Sequence, residues 1–154
     1  MRNLYRVLAF LVAIEVVVQA SAVAYGLFGL GRWVDDGGTL NKAAMESDQT
    51  TFTGLGGFIL HGMNGMMVIP LIALVLLIVS FFAKVPGGVA WAGIVLVAVA
   101  AQVALGLFAH SIPGLGILHG ANALLLFGLA ATAGARARDK APAQRTVPSE
   151  TSHA

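Results

Sequence analysis

Two short stretches of the chain nearly repeat each other, GLGGFILHGMN at 54–64 and GLGILHGAN at 114–122. In each, a histidine precedes a glycine, an asparagine follows three residues on, and a long apolar run begins. Imidazole can ligate a metal, hydrogen-bond at either ring nitrogen or carry a proton. Only His110 and His153 occur besides His61 and His119. The paired motif is therefore the first candidate for chemistry.

The neighbours of each histidine narrow the choice. Gly57 and Gly65 lie four before and four after His61, while Gly116 and Ala123 lie three before and four after His119. Residues at these spacings share a helix face. Glycine there lets something flat and wide lie against the backbone on both sides of an imidazole. A porphyrin set between helices needs that room and a bare ion does not. His61 and His119 are thus expected to ligate one haem b, with Gly57, Gly65 and Gly116 making room. Asn64 and Asn122, one turn deeper, are expected to bond a neighbouring helix or the haem surroundings. A zinc or copper site fits less well, because no cysteine or carboxylate joins the pair at that depth. The plainer alternative is that the small residues serve close helix packing and each histidine bonds across helices.

The elements that must position these residues follow from composition. The chain has 154 residues, 58% hydrophobic and 10% charged, with mean hydropathy +0.86. A soluble domain carries about 25% charged residues, so this is the composition of a membrane protein. The absence of cysteine excludes disulfides, thiolate metal sites and iron–sulfur clusters. A net charge of +2 gives no sign of a nucleic-acid partner.

Four runs reach the about 20 apolar residues that a membrane span needs: about 7–30, 55–82, 89–109 and 115–133. Backbone in lipid must satisfy its own hydrogen bonds, so these are helices. The fold expected is all-α, a four-helix transmembrane bundle over 1–134. Pro70 is expected to kink the second span. A stretch resembling a signal peptide ends at ASA, 20–22, but Glu15 interrupts its apolar core and the run continues to Leu30. The last twenty residues, His153 included, lack apolar periodicity and read as a disordered cytoplasmic tail.

Orientation follows the basic residues. Arg2, Arg6, Lys84, Arg136, Arg138, Lys140 and Arg145 fall on one side, and only Arg32 and Lys42 on the other. Both termini are therefore expected in the cytoplasm, with the protein multi-pass in the plasma membrane. The second and fourth spans then run parallel, and both histidines sit a turn or two below the outer surface. In a four-helix bundle these spans can stand diagonally, bringing the imidazoles face to face.

A glutamine followed by Gly-Leu-Phe recurs in the first and third spans, as QASAVAYGLF and QVALGLF. With the His motifs this suggests a duplicated two-helix hairpin. Glu15, the one acid inside a span, begins the stripe Glu15, Gln19, Ala22, Gly26 and Gly29, expected to face the bundle. Glu15 is a candidate for passing protons or touching a quinone. Gln102 can reach the edge of a ligand at the histidine layer. His110 is a third ligand candidate or a partner for haem propionates, and Arg32 can pair with a propionate. Trp33 reads as an interface anchor. Met63, Met66 and Met67 fit gap-filling better than ligation.

The stretch QVALGLFAHSIPGLGILHGANALLLFGLA resembles the third and fourth helices of one half of the haem A synthase family. Each four-helix half in that family places haem between histidines on its second and fourth helices, which correspond here to His61 and His119. The chain is half the family's length, and its first hairpin lacks the Glu-x-x-x-x-His pattern around the second-helix ligand. It is also similar to small four-helix membrane proteins of high-GC bacteria with no assigned function. Bis-imidazole iron has no open position, which implies electron transfer. The expected partners are membrane lipid and a quinone or other membrane redox partner, in a homo-oligomer or a larger complex. The alternatives are a haem-free accessory or assembly subunit and a proton-coupled transporter module.

Overall fold

Each apolar run forms a helix, and the helices end where glycine, proline and polar residues interrupt the pattern. The computed structural model describes residues 1–47 and 49–138. The order is α1 (Arg2–Asp35), α2 (Lys42–Glu46), α3 (Leu55–Met63), a π turn (Asn64–Val68), α4 (Ile69–Ser80), α5 (Gly88–Ala109) and α6 (Leu115–Arg136). No strand occurs among the described residues. Because α3, the π turn and α4 are continuous, four helices are long and apolar enough to cross a membrane.

The first span is longer than its apolar run. Its 34 residues continue through Arg32 to Asp35 because nothing breaks the helix before Gly37 and Gly38. Pro70 disrupts the second span in a specific way. Lacking an N–H, it leaves the helical ladder one bond short, and the chain adjusts as a π turn just before it, over Asn64–Val68. The tail expected from residue 135 is helical to Arg136; Asp48, Lys140, Arg145 and His153 lie outside the described residues.

The main helix contacts close a ring. α1 packs on α3, α4 and α6, and α5 packs on α4 and α6. The second and fourth spans therefore stand diagonally. Their packing divides the bundle lengthwise. Tyr5, Val12, Leu76, Val95, Val99 and Leu126 form the centre of the tight half. Beyond Val99 on α5, and before Leu126 on α6, neither helix has a buried residue. The half nearer Trp33 is accordingly wider and less filled.

The tight half is also the basic end. Arg2, Arg6, Lys84, Arg136 and Arg138 gather there, while Arg32, Asp35, Asp36, Lys42 and Glu46 lie at the Trp33 end. Tyr5 Oη donates to the Gly88 carbonyl at 3.1 Å and Arg2 Nη2 to the Lys84 carbonyl at 3.0 Å. Arg136 stands over the Trp91 ring at 5.4 Å.

The small-residue stripe of α1 packs on α3. A Cβ at Gly57 would run into the Ala22 carbonyl, and one at Gly29 into the Thr53 carbonyl. A Cβ at Gly26 would come within 2.9 Å of the Phe58 ring. Gly54, which opens α3 at φ +101°, leaves only 2.5 Å between its missing Cβ and the Tyr25 carbonyl. Backbones this close tolerate no side chain, and overpacking of this kind costs about 1–3 kcal/mol. Gly57→Ala is expected to lower the thermal unfolding midpoint in detergent. Gly56→Ala, which points into open space, is expected to leave it unchanged or raise it.

Candidate functional site

The wider half holds a layer of polar side chains built from the repeated motifs. On the second hairpin, His119 Nδ1 lies 3.0 Å from the Gln102 carbonyl and His119 Nε2 lies 3.1 Å from Gln102 Nε2. A carbonyl only accepts, so Nδ1 carries the proton and Nε2 accepts from the amide. Asn122 Nδ2 fixes that amide by donating to Gln102 Oε1 at 2.7 Å, and also donates to the Ala98 carbonyl at 3.0 Å. Both nitrogens of His119 are thereby engaged, and α5 and α6 are clasped together.

The first hairpin brings together the same residue types with a different outcome. Asn64, itself buried, donates to Glu15 Oε2 at 2.6 Å. Glu15 stands four residues before Gln19, where Ala98 stands four before Gln102. Gln19 lies against Gly65, whose missing Cβ would be 3.3 Å from Gln19 Oε1. Gln19 Nε2 is buried without a hydrogen-bond partner, and His61, set against the Gln19 backbone as His119 is against that of Gln102, has a buried Nδ1 that closes no well-formed hydrogen bond. The first copy is therefore open where the second is closed.

The two imidazoles meet across the bundle. Their ring centres are 6.1 Å apart with planes at 67°. Both line a partly open cavity of about 740 Å³, to which all four spans contribute. Its walls are apolar apart from Gln19, His61, Gln102 and His119. The volume lies within the about 300–1,000 Å³ typical of small-molecule sites.

The residues expected to form a site separate into two groups. Gly65 and Gln102 line the cavity with the histidines, and Asn64 and Asn122 stand behind it. Gly57 does not make room for a ligand: it is buried against α1, because the face it shares with His61 is partly a helix contact. Gly116 is exposed with nothing near its missing Cβ, and lies outside the cavity. His110 caps the end of α5 and is exposed. Arg32 is bound to Asp36 at 2.9 Å on the surface. Neither reaches the cavity, so neither is placed to meet a ligand there.

Three glycines that spacing did not single out do line it: Gly62, Gly106 and Gly120. Gly62 and Gly120 are the glycines of the His-Gly pairs. One residue along a helix turns the direction by about 100°, so a face-sharing rule passes over them, yet the cavity is wide enough to include them. Gly106 stands four after Gln102, and its missing Cβ would be 3.0 Å from His119 Cε1.

Among the described residues no group of three or more His, Cys, Asp or Glu is placed to hold a metal ion. No protein-family model, curated protein or solved structure matches the chain.

The asymmetry has a chemical consequence that needs no ligand to test. Acylation of an imidazole by diethyl pyrocarbonate requires a free ring nitrogen. Peptide mapping by mass spectrometry is expected to show His61 modified well before His119, with exposed His110 ahead of both. Equal rates at His61 and His119 would contradict the hydrogen-bond assignment.

Proposed function

We propose that the protein is a four-helix membrane cytochrome holding one haem b between His61 and His119. The observation that carries this reading is the meeting of two imidazoles from diagonal spans across one apolar cavity, 6.1 Å between ring centres. His61 and His119 would hold the group from the two sides of the cavity they both line. Gly62, Gly65, Gly106 and Gly120 keep side chains out of the same space. The unpartnered His61 Nδ1 and Gln19 Nε2 add the mark of a site built for something more than packing.

The chain's own groups are disposed for this role. His119 donates from Nδ1 to the Gln102 carbonyl, which orients the ring and leaves the Nε2 lone pair as the ligating atom. The Gln102 amide contacts that lone pair and has to turn aside when iron is bound. The apolar walls exclude water and favour the less charged state of the site. Bound iron supplies a one-electron change, and two imidazoles leave it no open position for oxygen chemistry.

The distribution of basic residues supports cytoplasmic termini, which places the haem toward the outer side. Electrons then pass between a quinol or membrane protein partner and an acceptor on that side. The matched Gln, His and Asn positions in the two hairpins support descent from a duplicated hairpin. One observation favours a haem-free accessory subunit instead: both nitrogens of His119 are already satisfied, as in a plain interhelical clasp.

Absorption spectroscopy separates the two readings. Protein expressed with haem supplied and purified in detergent is expected to show a sharp Soret band and a split α band on reduction. His61→Ala and His119→Ala are each expected to abolish that spectrum. Gln102→Ala is expected to retain it, since the backbone carbonyl still orients His119. A colourless wild-type protein would overturn the cytochrome reading.

A further inference from the structure

The two hairpins carry the same three polar residue types, yet only one set closes on itself. The difference traces to a single position. In the second hairpin Asn122 holds Gln102 Oε1 at 2.7 Å, and this turns the amide nitrogen onto His119 Nε2. In the first hairpin Asn64 is held by Glu15 Oε2 at 2.6 Å. It makes no hydrogen bond to Gln19, whose amide nitrogen stays unpartnered and does not bond His61 as the Gln102 amide bonds His119 Nε2. Where the second hairpin offers Asn122 the backbone carbonyl of Ala98, the first offers Asn64 a carboxyl side chain.

We infer that Glu15 is a positioning residue that keeps the ligand site open by sequestering Asn64. A buried asparagine in an apolar bundle takes the strongest acceptor within reach, because an unsatisfied amide there costs about 1–3 kcal/mol. Glu15 is the one acid within the apolar runs of the four spans and supplies that acceptor. With Asn64 engaged, the Gln19 amide does not turn onto His61, which lacks the amide contact that covers His119 Nε2. Without Glu15, Asn64 bonds Gln19 Oε1, the amide nitrogen meets His61, and the first hairpin takes up the closed arrangement of the second. The π turn that begins at Asn64 belongs to the same device. It sets the backbone at the point where this side chain must reach across to α1.

This inference rests on the haem reading and concerns which residues keep His61 available. It leads to an ordering that a merely structural role for Glu15 does not. Glu15→Ala is expected to bind haem about tenfold or more weakly, the usual loss when a group orienting a metal ligand is removed. Glu15→Gln, whose amide oxygen still accepts from Asn64, is expected to bind as wild type does. The double variant Glu15→Ala with Asn64→Ala is expected to recover binding, because the residue that would close Gln19 onto His61 is gone.

The test is haem titration of apo-protein in detergent, with the low-spin absorption spectrum as readout and far-ultraviolet circular dichroism as the check on folding. Recovery in the double variant supports the sequestering role. A double variant as weak as or weaker than Glu15→Ala overturns it, as does a Glu15→Ala protein that binds like wild type. Wild-type protein that takes up no haem refutes the cytochrome reading itself, a result distinct from either.

Discussion

A polar side chain within an apolar bundle must be answered by another polar group, and few are available here. Between the basic end and the Trp33 end the four spans carry Glu15, Gln19, Asn64, Gln102 and Asn122 with the two histidines, and Ser21, Ser80 and Thr132 besides. The two serines bond back to carbonyls of their own helices. Asn64 meets Glu15 across helices, and His119 and Asn122 meet Gln102, which ties α1 to the π turn and α5 to α6. Asn122 alone bonds both a backbone carbonyl and a side-chain carbonyl of α5. Each such bond is worth about 0.5–1.5 kcal/mol net, but leaving its members unpaired costs more. The partnering is therefore more constraining than its energy suggests.

That constraint explains why the bundle is tight at one end and wide at the other. Around Tyr5, Val12, Leu76 and Leu126 the helices meet through small and branched side chains and exclude space. At the polar layer the imidazoles and amides hold the helices by discrete contacts, and the glycines beside them add no bulk. A cavity results because directional bonds set the spacing there, whereas apolar side chains elsewhere fill whatever gap remains. A site that must admit a flat group and hold it rigidly needs this combination. Here one imidazole is held by hydrogen bonds, glycine backbone lies beside both, and a well-packed base stands below.

Much of this was legible in the sequence, and particular residues show where legibility ended. The spans follow from run length, and their ends move by a few residues because helices continue until something breaks them, as α1 does to Asp35. The Glu15–Gly29 stripe could be placed toward the bundle from spacing, and it packs on α3. Spacing could not separate Gly57 from Gly65. Both share a face with His61, and only the crossing of α1 and α3 decides that one meets a backbone and the other a cavity. Pro70 signalled a disruption but not that it takes the form of a π turn. The divergence of Asn64 from Asn122 depends on the reach of a carboxyl from another helix, and no local pattern encodes it. Arg32 and His110 were credible partners by position, but one is tied to Asp36 and both face solvent.

The central claim is that His61 and His119 close on a single iron from opposite sides. Low-temperature electron paramagnetic resonance of the oxidised protein, with haem quantified against chain, tests it most directly. One haem per chain and a low-spin ferric signal of bis-imidazole type are expected. A high-spin signal, or haem in proportions unrelated to the chain, would contradict it.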